Sequence, residues 1–223
     1  MSCDIIGGEI MKLVMAGALV ATIATMYGCT GLSKIELSSA DRAQTTTIKI
    51  LANERMPEDM FFHGKAQSAA GAFGVVGALA GMAMAGSPKA QILETMNKHN
   101  ILLPMILRTE FSKALQSQQD FRVVDETSPA DADMLLTVNV YGLGQSHGFS
   151  KLYPILNVSA SLRKPDGRVI WQNTDYVTAL NKENNQGHEF DEYIENPELL
   201  RGTWSVACSI VSRMLVRELS QRQ

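Results

Sequence analysis

Cys29 is the residue of this chain best placed to do chemistry. Its thiol is a nucleophile, and it closes the run Lys12, Leu13 to Met26, Tyr27, Gly28, Cys29. One basic residue, an uncharged stretch of small and apolar residues and a small residue before a cut are the parts of a secretory leader. Lys12 supplies the charge, Leu13 to Met26 the apolar stretch and Gly28 the small residue at the cleavage site. Met1 to Ile10 contain Asp4 and Glu9 and neither Lys nor Arg, which suits no leader's first segment, so Met11 is the favoured start and residues 1–10 an extension. The competing reading is an uncleaved signal anchor, for which the run is short against the roughly 20 residues of a spanning helix.

The Gly28-Cys29 ending resembles the lipobox of bacterial lipoproteins. Met26 and Tyr27 stand where that family prefers Leu and a small residue. The resemblance implies a diacylglyceryl thioether on Cys29, cleavage after Gly28 and a mature chain that begins at Cys29. Thr30 follows where the family's inner-membrane retention signal is Asp, so the expected location is the periplasmic face of the outer membrane, held by lipid. Several acyl chains anchor a protein stably without a spanning helix.

The other reactive side chains assemble into nothing comparable. His63, His99, His147 and His188 pair with no Cys, His or carboxylate at metal-ligand spacing. His188-Glu189 and Asp191-Glu192 read as a solvated polar cluster rather than an acid–base site. Ser146-His147 lacks a third partner and oxyanion donors. Gly142-Leu143-Gly144 follows a strand of an antiparallel meander with no helix after it, so it reads as a loop and not as a dinucleotide fingerprint. Cys208 is the thiol left once Cys3 and Cys29 are assigned to the leader region, and its place on an apolar helical stripe marks it as buried and inert. The expectation is a protein with no catalytic residues, metal, cofactor or evident small-molecule substrate.

The 223 residues are 45% hydrophobic, enough for one domain with a core, and the net charge is −3. Without Lys12, Asp4 and Glu9 it is −2, which gives no electrostatic ground for a nucleic-acid partner.

A second unusual feature lies between Lys65 and Lys89, which enclose no charged residue. Residues 69–86 are almost all Gly, Ala and Met, with Gly77 and Gly81 four apart and Gly74 four from both Ala70 and Ala78. On a helix these small residues would line one face where another backbone can approach. Each Gly costs about 1 kcal/mol relative to Ala in an isolated helix, so lipid or a close neighbour must compensate. A membrane-inserted helix or hairpin, an oligomer-forming glycine zipper and a connector covering the domain all fit. Gly74, Gly77 and Gly81 are the candidate packing or membrane contacts.

Residues 29–43 read as a lipidated polar tether, and residues 44–223 as a periplasmic α+β domain with a Gly/Ala-rich insert at 67–87. Thr45 to Ala52 predicts a strand. Helices are predicted from Pro88 to near Asn100 and from Leu103 to Gln118, broken at Pro104. Phe121 to Val124, Asp131 to Val140, Tyr153 to Arg163 and Val169 to Val177 alternate as strands. Leu136, Val138 and Val140 fall on one face of theirs, and Pro165-Asp166-Gly167 makes the last turn. The last three strands form an antiparallel meander with one wet face. Asp191 to Glu195 reads as an acidic helical start or loop. A final helix from Pro197 carries Leu200, Trp204, Ala207, Cys208, Val211, Leu215 and Leu219 on its stripe. Trp171 and Trp204 are expected to pack between meander and helix. The predicted class is a mostly antiparallel sheet, a three-strand meander plus flanking strands, packed by two or three helices.

Phe121-Arg122-Val123-Val124-Asp125, Ala132-Asp133-Met134-Leu135-Leu136-Thr137-Val138, Leu152-Tyr153-Pro154 and Gly167-Arg168-Val169-Ile170-Trp171, in this order and behind a lipid anchor, resemble the small α/β domain of envelope assembly lipoproteins. The relatives are the curli-secretion-channel family and the lipoproteins that activate peptidoglycan synthases. The resemblance covers residues 45–180 and implies a non-enzymatic assembly role, with an envelope protein or a second copy as partner. It carries no pore, because the chain shows no alternating membrane hairpin, and residues 69–86 have no counterpart there. The alternative is a membrane-inserting or pore-related oligomer built on residues 69–86.

Overall fold

The computed structural model describes residues 33–52, 56–64, 87–147 and 151–221. The chain divides into Met1–Ser33 and Lys34–Gln223, and the architecture below is that of the second unit. In chain order it runs α1 (Ser39–Ala43), β1 (Thr47–Ala52), β2 (Phe61–His63), α2 (Pro88–Lys98), α3 (Leu103–Gln116), β3 (Arg122–Val124), β4 (Ala132–Gln145), β5 (Leu152–Arg163), β6 (Val169–Val177), α4 (Phe190–Glu195) and α5 (Pro197–Ser220).

The strands form one mixed sheet of order β3-β1-β4-β5-β6, with β2 beside the far end of β4. The meander β4-β5-β6 is antiparallel as expected. The flanking strands are not: β1 pairs parallel with both β3 and β4, and β2 pairs parallel with β4. The sheet is therefore mixed, and the described residues carry five helices rather than two or three. Parallel neighbours need a long return connection, which α2 and α3 supply between β1 and β3.

Ser87 caps α2 by accepting from the Ala90 amide at 3.3 Å, with Pro88 in the first turn. The predicted break falls at Asn100, whose φ of 52° is left-handed, a region Asn tolerates better than most residues. The α2 stop is sealed where the Ile101 amide donates to the Met96 carbonyl at 2.8 Å. Asn196 caps α5 by accepting from the Leu199 amide at 3.1 Å. The expected stripe on α5 is buried from Leu200 to Leu219. Trp171 and Trp204 both lie in the core, Trp204 edge-on to Tyr141 with ring centroids 6.3 Å apart.

Ile48 and Ile50 of β1 share the helix-covered face with Met134, Leu136 and Val138 of β4 and Leu156 and Val158 of β5. A bulge between Val138 and Val140 then resets the alternation. Two residues of β4 stand opposite one of β5 there, so Tyr141 and not Val140 returns to the core. The regular alternation read from the sequence placed Val140 inside; it is 43% exposed. The bulge also lets β4 continue through Gly142 and Gly144, which are strand and not loop. A Cβ on Gly142 would sit 2.0 Å from the Phe61 carbonyl oxygen, so only glycine allows β2 to close against β4.

Candidate functional site

Cys29, Gly28, Gly74, Gly77 and Gly81 lie outside the described residues, as do the leader and the Gly/Ala-rich stretch 69–86. The site that the described residues do build is the sheet face opposite the helices. By strand alternation this face presents Lys49 and Leu51 of β1, Leu135 and Thr137 of β4, Asn157, Ser159 and Ser161 of β5 and Gln172, Thr174 and Tyr176 of β6.

Its centre is a hydrogen-bonded ladder without charge. Asn139 Nδ2 donates to Asn157 Oδ1 and to Ser159 Oγ, both at 2.7 Å. Ser159 Oγ and Thr174 Oγ1 share a further bond of 2.7 Å. The ladder crosses three strands: the bulge brings Asn139 within reach of both Asn157 and Ser159, and Ser159 stands opposite Thr174 in register. An apolar margin lies on the β2 side of it. Phe61 is 45% exposed and Val140 43%, and the Phe61 ring lies over Gly144, where a Cβ would meet it at 3.3 Å. Ionised groups enter at the opposite end, where Lys49 and Asp133 pair at 3.7 Å. The polar half of the β5 alternation was legible, but it is not wet throughout: Ser159 and Ser161 are buried, and Asn157 is half-buried. Phe61, on a three-residue strand, and Val140, displaced by the bulge, had no sequence signal.

The sheet edges are less available. The β6 edge is occupied at Gln172, which exchanges two backbone hydrogen bonds of 2.9 Å with Ile35. Residues 34–43, expected as a free tether, are laced onto the domain. Leu37 is buried, and Lys34 Nζ donates to Glu218 at 3.1 Å. Arg168 holds Asp41 at 2.8 Å, and this guanidinium together with Ser38 keeps the Asp41 carboxyl below its ordinary range. Arg42 Nη2 donates to the Leu219 and Gln221 carbonyls at 2.6 and 2.9 Å, closing the C-terminal end of α5. Edge β3 is three residues long.

The helical layer carries two open grooves between α3 and α5. One of about 500 Å³ is lined by Ser117, Gln118, Arg213 and Arg217, and one of about 400 Å³ by Met105, Thr109, Glu110 and Arg201. Glu110, Arg201 and Arg213 are tied in surface pairs with Lys113, Glu198 and Glu183. In the second groove Ser205 Oγ donates to Glu110 Oε1 at 3.1 Å, and the same carboxylate is neutralised by Lys113.

The polar cluster around His188 is a helix cap. The Glu189 amide donates to Glu192 Oε2 at 2.8 Å in a reciprocal capping box at the start of α4. His188 itself bridges to Leu152 through the backbone and packs edge-on to Tyr193. Burial pushes the Tyr193 hydroxyl upward, and it is held between the Leu152 and Gln186 carbonyls. Burial likewise pushes the Cys208 thiol up, far from the thiolate form a nucleophile needs. Among the described residues no group of His, Cys, Asp and Glu could hold a metal ion. Among them, too, no helix is long and apolar enough to cross a membrane.

No family model matches the chain, and no curated protein matches it. Solved structures overlap it weakly. A Xanthomonas campestris protein of the DUF330 family is 15% identical with a TM-score of 0.35, over 51% of this chain and 58% of that one. A presumptive lipoprotein of Caulobacter crescentus is 16% identical with a TM-score of 0.34, over 52% and 80%. The PelC dodecamer of Paraburkholderia phytofirmans is 9% identical with a TM-score of 0.38, over 86% and 97%. The chain thus spans little more than half the length of the Xanthomonas protein. Likeness at this level says nothing about role, and it does not show the resemblance to the curli-secretion-channel family.

Proposed function

We propose that the chain is a non-enzymatic lipoprotein of the cell envelope, anchored by acylated Cys29 to the outer membrane on its periplasmic side. Its α+β domain binds an envelope protein or a second copy of itself through the sheet face opposite the described helices. The observation that carries this reading is the ladder Asn139–Asn157–Ser159–Thr174 beside exposed Phe61 and Val140. Neutral hydrogen-bonding groups next to a small apolar margin match the composition of protein interfaces, whose centres are depleted of charge. The sheet edges are poorer candidates than this face, because Ile35 and the shortness of β3 leave little edge to augment.

The test is in-cell photo-crosslinking from Val140 and Asn139, with exposed Glu94 on α2 as the control. A discrete adduct from positions 139 and 140 and none from 94 is the expected result. Twice the protomer mass identifies self-association, and any other defined mass identifies a different protein. Absence of adducts from both face positions, in cells where the protein is present and folded, overturns the reading. Fractionation of wild type and Cys29→Ser, with mass spectrometry of the N-terminus, tests the anchor separately. Acylated Cys29 and a soluble Cys29→Ser are expected. A Cys29→Ser protein that stays in membranes would favour insertion of residues 69–86 instead.

A further inference from the structure

We infer that the β6 side of the domain is a membrane seat, in which Tyr176 and Leu180 rest on the bilayer surface. This rests on the acylated Cys29 proposed above. Lys34, Ile35 and Leu37 are laced onto β6 and α5, and four residues, Thr30 to Ser33, separate Cys29 from the first of them. From Cys29 to Lys34 the chain reaches at most about 17 Å. A domain of this length has a radius of gyration of about 16 Å, so the reach is less than half its width. A lipidated Cys29 therefore holds the flank around Lys34 against the membrane and cannot present an arbitrary side to it.

That flank is suited to lipid. Ile35 runs antiparallel to β6 at Gln172, so the chain leading back to the anchor leaves toward the Tyr176 end of the strand. Tyr176, at the β6 rim of the partner face and beyond its hydrogen-bonded ladder, is 59% exposed there, and Leu180, on the turn that follows β6, is 79% exposed. The turn is fixed and not a loose tip, because Asn181 Oδ1 accepts from the Thr178 amide at 2.7 Å. Tyrosine favours the headgroup level, where its ring is apolar and its hydroxyl stays wet. The surrounding charges are matched. Lys34 pairs with Glu218, Arg213 with Glu183, and Arg217 lies within electrostatic reach of Asp175. The flank carries no net charge, Lys34, Lys182, Arg213 and Arg217 standing against Glu36, Asp175, Glu183 and Glu218, and so needs no anionic lipid.

The lipidated protein is reconstituted into phosphatidylcholine vesicles as Tyr176→Cys, Leu180→Cys and, on the α3 side, Leu102→Cys. Each carries an environment-sensitive fluorophore; Cys208 is buried and does not compete for label. Spin-labelled lipid is expected to quench the probes at 176 and 180 at least threefold more than the probe at 102, equally in vesicles with and without phosphatidylglycerol. Equal quenching at all three positions, or none at 176 and 180 in protein whose Cys29 is acylated by mass spectrometry, overturns the seat and leaves the anchor standing. An unmodified Cys29 overturns the anchor and the seat with it.

Discussion

Substitution of Asp131 tests the reasoning about how the parallel part of the sheet is held. Asp131 Oδ2 accepts from the Thr46 and Thr47 amides at 2.9 and 2.8 Å and from their hydroxyls at 2.9 and 2.8 Å. Its own amide donates to Thr47 Oγ1 at 2.9 Å. One carboxylate oxygen thus ties the start of β1 to the entry of β4. These donors, the backbone amides foremost, hold the Asp131 carboxyl well below the ordinary carboxylate range. A hydrogen bond to a charged group contributes about 1.5–3 kcal/mol. Solvent screening at this partly exposed position reduces the sum, so Asp131→Asn, which keeps an acceptor and loses the charge, is expected to cost about 1–2 kcal/mol at neutral pH. In a domain of this size that lowers the melting temperature by about 3–6 °C. The pH dependence is the sharper readout. A carboxylate whose pKa is depressed on folding stabilises fully above its unfolded value of about 3.9, and the contribution disappears as pH falls from there toward the folded value. Urea titrations of both proteins from neutral pH downward should therefore show a gap that is constant above about pH 5 and narrows below about pH 4. A gap that persists unchanged at the acid end, or one under about 0.3 kcal/mol at neutral pH, refutes the clamp.

Gly142→Ala drives a Cβ to 2.0 Å from the Phe61 carbonyl and is expected to destabilise by about 1–3 kcal/mol by chemical denaturation, with loss of protection in the amides of β2. Gly202→Ala, where nothing lies within 4 Å on an exposed turn of α5, is expected to stabilise by about 0.5–1 kcal/mol in the same assay. Arg42→Met leaves the Leu219 and Gln221 carbonyls without their donor and should cost about 1–2 kcal/mol, with faster hydrogen exchange confined to the last turn of α5 and to α1. Cys208 should resist a thiol-specific disulfide reagent in the native protein and react at once in denaturant; native reactivity would contradict its complete burial.

Much of the scaffold is written locally. The strand Val169–Val177 and the helix starts at Pro88, Leu103 and Pro197 follow from alternation, caps and proline placement, and the structure has them where the sequence put them. What escaped was non-local. The parallel pairing of β1 depends on partners brought round by two helices, and nothing in Thr47–Ala52 encodes its direction. The bulge after Val138 breaks a pattern that looked continuous, which hid both the exposure of Val140 and the strand character of Gly142 and Gly144. The polar residues before β1 look like spacer because their contacts, Arg42 with the end of α5 above all, are made at the far end of the sequence. Of the candidate surface, the uncharged polar row on β5 was legible. Asn139 was legible too, alternating with Leu136 and Val138, whereas the apolar margin was not.

The clamp on β1 also bears on the order of assembly. Asn139 meets Asn157 across 18 residues, and Ser159 meets Thr174 across 15, whereas Thr47 meets Asp131 across 84. Closing the longer loop costs more chain entropy before any contact rewards it. The meander is therefore the template, formed early, and β1 docks after it and carries β3 on its far edge, so the Asp131 latch slows the escape of β1 from the finished sheet and does little to hasten its arrival.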